Sequence, residues 1–276
     1  MQDLRQSSTR EAELNSPVLE VTDLRKEYGG AVPNLAIDRI SFSVREGMRL
    51  SVVGPSGAGK TTLLKCISGL QSVTAGRVAF RGGEVKAPPD GLAIVFQDYA
   101  RSLFPWMSVE KNVDLPLRYR ALSRQRRADI VANALESVGL GNQGKRYPGE
   151  LSGGMQQRVA IARALAYQPR LLLMDEPFAS VDAQTRLSLE DLTLRLCKQY
   201  DITLMLITHD IDEAIYMGDQ VLVLSASPAV VRETIDVDLP RERDQIETKL
   251  LRRFSEIRAE VYNLLHDSGK AGELTK

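Results

Sequence analysis

No apolar run in this 276-residue chain approaches the roughly 20 residues that a membrane-spanning helix needs. Charge of one sign is not in excess either. Thirty-six Lys and Arg residues stand against 36 Asp and Glu, and the formal net charge is zero. Nucleic-acid binders carry a basic surplus, so no nucleic-acid partner is expected. Cysteine is scarce. Cys66 and Cys197 lie far apart in apolar-periodic segments and read as small buried hydrophobes of a reducing compartment, which excludes a disulfide framework. The first sixteen residues, MQDLRQSSTREAELNS, contain no apolar signal core, so secretion is not expected. What remains is a soluble, cytoplasmic protein that is still free to bind a membrane protein. Its length suits one large domain or two modest ones.

The patterning predicts a flexible tail over 1–16, a main domain over 17–240 and a C-terminal amphipathic helix and tail over 241–276. VLEVTDLRKEY and AIDRISFSVREGMRLSVVG alternate as strands do. From Thr61 a helix is expected with Leu63, Leu64, Ile67 and Leu70 on one stripe and Gly69 near its end. GRVAFRGG and GLAIVFQ read as further strands. Charged helical patterns then dominate, so a helical insertion is predicted over about 98–165. Strands resume at LLLMDEP and ITLMLITHD, each after a helical stretch, and QVLVLSASPAVVRETI reads as a closing hairpin. Alternation of this kind argues for an α/β fold with a mostly parallel sheet. Near the end, Ile246, Leu250, Phe254, Ile257, Val261 and Leu264 recur at spacings of three and four. That is an amphipathic helix, packed on its own domain or offered to a partner.

Gly54-Pro55-Ser56-Gly57-Ala58-Gly59-Lys60-Thr61 matches G-x-x-x-x-G-K-[ST], with an apolar strand before it and a helix pattern after it. Glycines 54, 57 and 59 let the loop curl and expose N–H groups, which together with the helix N-terminus bind phosphate oxygens. Lys60 would then reach the β- and γ-phosphates, the Thr61 hydroxyl would ligate Mg²⁺, and Thr62 could bond a phosphate. Asp175 closes the apolar run LLLM and is a candidate Mg²⁺ ligand, directly or through water. Glu176, one residue on, is expected to project the other way and to polarise a water for in-line attack. Gln97 and His209 also follow apolar strands. Strand carboxyl ends are where ligands bind in parallel α/β sheets, so these residues are expected to share one site.

The run ELSGGMQQRVAIARAL sets two glycines before a helix, which costs helix stability unless a loose turn or a close approach to bare backbone is wanted. Taken together, GPSGAGKTT, Gln97, LSGGMQQRVAIARAL, LLLMDEP, Ser180-Val181-Asp182 and His209 resemble, in order, the motifs of ATP-binding-cassette (ABC) ATPases from about Val18 to Leu239. The resemblance implies a P-loop NTPase core with an antiparallel β subdomain and an inserted helical subdomain. It implies that ATP is bound by Tyr28, stacked on adenine, and by the loop from Gly54 to Thr62. Mg²⁺ then belongs to Thr61, Gln97 and Asp175, and the catalytic set is Glu176, His209 and Gln97. Ser152, Gly153, Gly154 and Gln156 would contact ATP of a second, identical subunit, the N–H groups of the glycines receiving its γ-phosphate. Ser180 and Asp182 would communicate across that dimer. Two departures are mild: Val181 stands where Leu is more usual, and Met155 where Gln is commonest.

VFQDYARSLFPWMSVEKNV, YPGELSGGMQQR and LPRERD are similar to ATPase subunits of nitrate-, sulfonate- and taurine-type importers. Such a subunit would sit on the cytoplasmic face of the inner membrane, with a separate permease and, through it, a periplasmic or lipoprotein substrate-binding protein. Phe104, Trp106 and Met107 would receive a permease helix or fill the helical subdomain's own core. Alternatives are the ATPase of an exporter or lipoprotein-release system, or a soluble non-transport ABC ATPase. The last is disfavoured by the short interval between Gln97 and Ser152, which has no room for the long coiled coil of the DNA-repair relatives.

Overall fold

The computed structural model describes residues 17–30, 33–98 and 102–266. The expected N-terminal tail over 1–16 lies outside the described residues, as does 267–276 of the C-terminal tail. The described strands are β1 (Pro17–Tyr28), β2 (Asn34–Arg45), β3 (Arg49–Val53), β4 (Ala75–Phe80), β5 (Gly83–Glu84), β6 (Leu92–Val95), β7 (Leu171–Asp175), β8 (Thr203–Ile207), β9 (Gln220–Leu224) and β10 (Val231–Asp236). The described helices are α1 (Lys60–Ile67), α2 (Val109–Asp114), α3 (Arg124–Ser137), α4 (Gly153–Ala166), α5 (Ala183–Tyr200), α6 (Ile211–Met217), α7 (Glu247–Leu250) and α8 (Arg252–His266). They form two compact units, one of the described residues up to 89 together with those from 202 onward, the other of the described residues between 90 and 201.

The first unit holds two sheets. β1, β2, β4 and β5 make an antiparallel sheet in the order β2-β1-β4-β5, while β8, β3, β9 and β10 lie side by side. β3 runs parallel to β8, with Leu50 opposite Met205, and parallel to β9, with Val52 opposite Leu222. Every residue of β3 and β8 is buried. A strand covered on both faces has no solvent side to alternate with, which is why β8 reads as an apolar run over 204–207, while β3 buries Arg49 and Ser51 among its apolar residues. β9 turns into β10 as the expected antiparallel hairpin. Helix α1 buries Leu63, Leu64 and Ile67 as expected, but not Leu70, which is 51% exposed. Gly69 takes a left-handed φ of 70°, its N–H reaching Cys66 O at 3.2 Å and that of Gln71 reaching Lys65 O at 3.0 Å. This ends the helix one residue before the stripe would have continued.

The C-terminal periodicity is likewise cut in two. Leu251 is extended (ψ 135°) between α7 and α8, so there is no single helix. Phe254, Ile257 and Val261 are fully buried on α8, against α6, β9 and β10, whereas Ile246 is 70% and Leu250 79% exposed. Packing on its own unit is thus the correct reading for α8. The LPRERD segment leads into α7 and is itself held. Asp244 accepts the N–H groups of Ile246 and Glu247, both at 2.8 Å, just ahead of α7. Arg243 donates to the carbonyls of Tyr216 at 3.2 Å and Gly218 at 3.1 Å, where α6 ends. Burial, with the nearby Arg49 cation adding to it, pulls the Arg243 guanidinium down to about 10.

In the second unit β6 and β7 pair in parallel, Val95 opposite Met174. Helices α2, α3 and α4 pack on one another, and α4 also meets α5. Val159, Ile161, Ala162 and Leu165 of α4 are all buried. Both cysteines are buried and neither is in a disulfide, Cys66 in the first unit and Cys197 in the second.

Candidate functional site

In the first unit β3 runs into a loop whose glycines have separate reasons to be glycine. A Cβ on Gly54 would lie 3.1 Å from Leu224 Cβ and 3.3 Å from Leu224 O. Gly57 and Gly59 have left-handed φ values of 75° and 83°, and a Cβ on Gly59 would also meet Ala36 O at 3.0 Å. Ala58 is buried and its N–H bonds Pro55 O at 3.1 Å, closing the loop, while Ser56 is exposed. Helices α2 to α6 are each capped by a side chain, from Ser108, Ser123, Ser152, Asp182 and Asp210 respectively. Helix α1 is capped by Gly59 with no side-chain bond. Glycine has no side chain with which to cap the first-turn N–H groups, which lie at the positive end of the helix dipole. The Lys60 ammonium is buried and folds back onto Gly54 O at 2.8 Å and Pro55 O at 3.0 Å. Amide donors and a desolvated cation around one loop have the chemistry that suits a phosphate.

Around this loop, the Tyr28 hydroxyl lies 3.1 Å from Thr62 Oγ1 and donates to Gln71 Oε1 at 3.0 Å. The Lys26 ammonium sits 5.2 Å from the Tyr28 ring centroid. Tyr28 is therefore anchored to the phosphate-loop helix, a tie the motif did not reveal. Thr61 is exposed. His209 is exposed just past β8, where the Thr208 N–H bonds Val52 O at 3.1 Å. β3 and β8 are parallel neighbours, so the phosphate loop and His209 leave the same edge of this sheet.

In the second unit Gln97 and Glu176 follow the parallel neighbours β6 and β7, and they meet. Gln97 Nε2 donates to Glu176 Oε2 at 3.3 Å. Asp175 is buried at the end of β7. Glu176 is not the next strand residue that alternation assumed: its φ is +43°, left-handed. A non-glycine residue held there costs on the order of 1–3 kcal/mol, which is typical of residues fixed for function. Ser180 and Asp182 are exposed, and Asp182 accepts the Thr185 N–H at 3.0 Å as the cap of α5. Hydrogen bonds from the Thr185 side chain and backbone hold the Asp182 carboxyl below its usual range.

The signature glycines stand within α4 rather than ahead of it. Ser152 is the cap, accepting Met155 N–H at 3.4 Å, and Gly153 and Gly154 are the first two helical residues. Gly153 is exposed and Gly154 half-buried. Gln156 turns back, its amide donating to Pro148 O at 3.0 Å and Leu151 O at 3.2 Å. Arg158, to which the motif assigned no role, braces α4 by donating to Val138 O at 2.9 Å and Ser188 Oγ at 2.8 Å. Of the aromatic segment, Phe104 and Met107 are half-buried, while Trp106 is 70% exposed and edge-on to Phe104. Buried Asn112 fixes that segment through the Phe104 N–H at 2.8 Å and the Phe104 and Met107 carbonyls at 3.1 Å.

These features have counterparts among known proteins. The ABC transporter family model matches residues 37–179. An uncharacterized ABC transporter ATP-binding protein of Methanocaldococcus jannaschii is 44% identical, covering 84% of this chain and 85% of that one. The nitrate transport protein NasD of Klebsiella oxytoca is 37% identical (91% and 97% covered), and the aliphatic sulfonates import ATP-binding protein SsuB of Bacillus licheniformis 39% (88% and 96%). The chain spans only 36–39% of the length of several other curated relatives. A dimeric ATP-binding cassette in a post-hydrolysis state, bound to ADP and Pi, superposes with a TM-score of 0.70 at 30% identity, covering 79% of this chain and 98% of that one. The chain belongs to the ABC transporter family, and it carries that family's ATP-binding ATPase cassette.

Proposed function

We propose that this chain is the ATP-hydrolysing subunit of an importer for a small anionic solute, driving uptake through a separate permease. The observation that carries the ATPase reading is the glycine-capped start of α1 with the Lys60 ammonium folded back over its loop. The import reading is supported by relatives named for nitrate and sulfonate transport. In this reading the N–H groups of Gly57 to Thr62 and the Lys60 ammonium bind and orient the phosphates. Glu176, steadied by Gln97, accepts a proton from the attacking water. His209 donates to the γ-phosphate, and Tyr28 stacks on adenine.

In this reading Mg²⁺ suits the chemistry of each proposed donor. Among the described residues no three His, Cys, Asp or Glu side chains cluster to hold a metal. The Thr61 hydroxyl, the Gln97 amide and the Asp175 carboxylate are hard oxygen donors, and Mg²⁺ characteristically combines one or two carboxylates with substrate phosphates. When bound it would neutralise phosphate charge. Ser152, Gly153, Gly154 and Gln156 serve the ATP of a second copy, with Ser180 and Asp182 at the same dimer contact. No helix of the described residues is long and apolar enough to cross a membrane. The subunit acts at the cytoplasmic face of the inner membrane, where Trp106 is presented to the permease, and a periplasmic or lipoprotein binding protein supplies the solute.

The two-subunit site is tested by mixing variants. Lys60→Ala and Gly153→Asp should each lack ATPase activity, and their mixture should regain it in dimers holding one intact composite site. Normal hydrolysis by Gly153→Asp as a monomer refutes the arrangement.

A further inference from the structure

Gly154 faces two demands, and the second comes from its own chain. A Cβ built there falls under 3.0 Å from Thr185 Cγ2, a separation real Cβ atoms essentially never show, and 3.7 Å from Thr185 Cβ and Oγ1. Thr185 cannot swing aside cheaply. It is β-branched and stiff at χ1. Its hydroxyl and N–H both bond Asp182, the cap of α5. One turn further along, Arg158 of α4 reaches Ser188 of α5. The starts of the two helices are therefore joined twice, once by van der Waals contact through a missing side chain and once by a guanidinium.

We propose that Thr185 is a positioning residue, which sets the start of the signature helix against the Asp182 loop through direct contact with Gly154. On this view the glycine keeps the Ser152–Gly154 turn and the Ser180–Asp182 loop moving as one body, whatever else it does for nucleotide. The inference rests on the proposed role of the signature turn in binding the second subunit's ATP. It explains why the two glycines differ in burial, because Gly153 is exposed and Gly154 is seated on α5.

The test is second-site rescue, read as kcat and KM for ATP, with thermal melting to confirm folding. Gly154→Ala should lower kcat by tenfold or more. Gly154→Ala with Thr185→Ser, which removes the methyl and keeps the hydroxyl, should recover most of kcat. Gly154→Ala with Thr185→Val, which keeps that methyl and puts a second one in place of the hydroxyl, should not. If Gly154→Ala alone is fully active, or if serine and valine rescue equally or not at all, the inference is overturned. Gly153→Asp separates it from the underlying reading: full activity in that variant removes the signature turn from the nucleotide site. An inactive Gly153→Asp with an unrescued Gly154→Ala discards the Thr185 contact alone. Should Gly154→Ala melt early, the same comparison applies to its melting temperature, where only the serine partner should restore it.

Discussion

Phe254→Ala and Leu250→Ala distinguish a broken C-terminal segment from a continuous helix. Both residues occupy the same apolar stripe by spacing, yet Phe254 is 0% and Leu250 79% exposed. Truncating a fully buried Phe costs about 3–5 kcal/mol, from lost transfer energy and the cavity left behind. An exposed Leu outside any special contact should stay within about 0.5 kcal/mol. With a urea slope of about 2 kcal/mol/M, Phe254→Ala should bring the unfolding midpoint of its unit down by about 2 M. Leu250→Ala should barely move it. Urea titration followed by circular dichroism measures both. Comparable shifts would mean that Leu250 and Phe254 share one buried face, and would refute the break at Leu251.

Asp114 accepts from Arg127 at 2.8 and 2.5 Å and from Arg118 at 3.3 Å. Burial alone would raise its pKa, but these hydrogen bonds outweigh it and hold the carboxyl low. A lowered carboxyl pKa stabilises the fold above the unfolded value near 3.9, and the gain is lost as pH falls through the folded value. Asp114→Asn should therefore cost about 1 kcal/mol at pH 7, with the gap to the wild type closing on the acid limb of a pH series of urea midpoints; a pH-independent gap contradicts this. Gly59→Ala forces a methyl into a left-handed position facing Ala36 O. Strain of about 1–2 kcal/mol should weaken ATP binding about 5–30-fold in a fluorescent-nucleotide titration, and unchanged binding would mean the loop does not need that conformation.

The elements that carry the proposed site were legible because their patterning is local. Gly54 to Thr62 lie in one loop and one helical turn, and Gln97, Glu176 and His209 each stand just past a short apolar strand. Local patterning does not carry backbone dihedrals or contacts between distant segments. Leu70 fits the α1 stripe but lies beyond the left-handed Gly69. Leu250 fits the α8 stripe but lies before the extended Leu251. Glu176 looks like one more strand residue and is left-handed instead. Thr185, thirty-one positions from Gly154, gives no sign in the sequence of the contact that makes that glycine necessary. Arg243 could be noticed only as part of LPRERD; that it holds the end of α6 follows from carbonyls twenty-five and twenty-seven residues away.

The most direct test of an ATPase built around Glu176 is the Glu176→Gln variant. Removing the carboxylate charge while keeping its size should leave ATP binding in place, nearly abolish hydrolysis and leave a stable ATP-bound dimer, seen by size-exclusion chromatography with and without ATP and by phosphate release. Turnover at the wild-type rate in that variant would contradict the account.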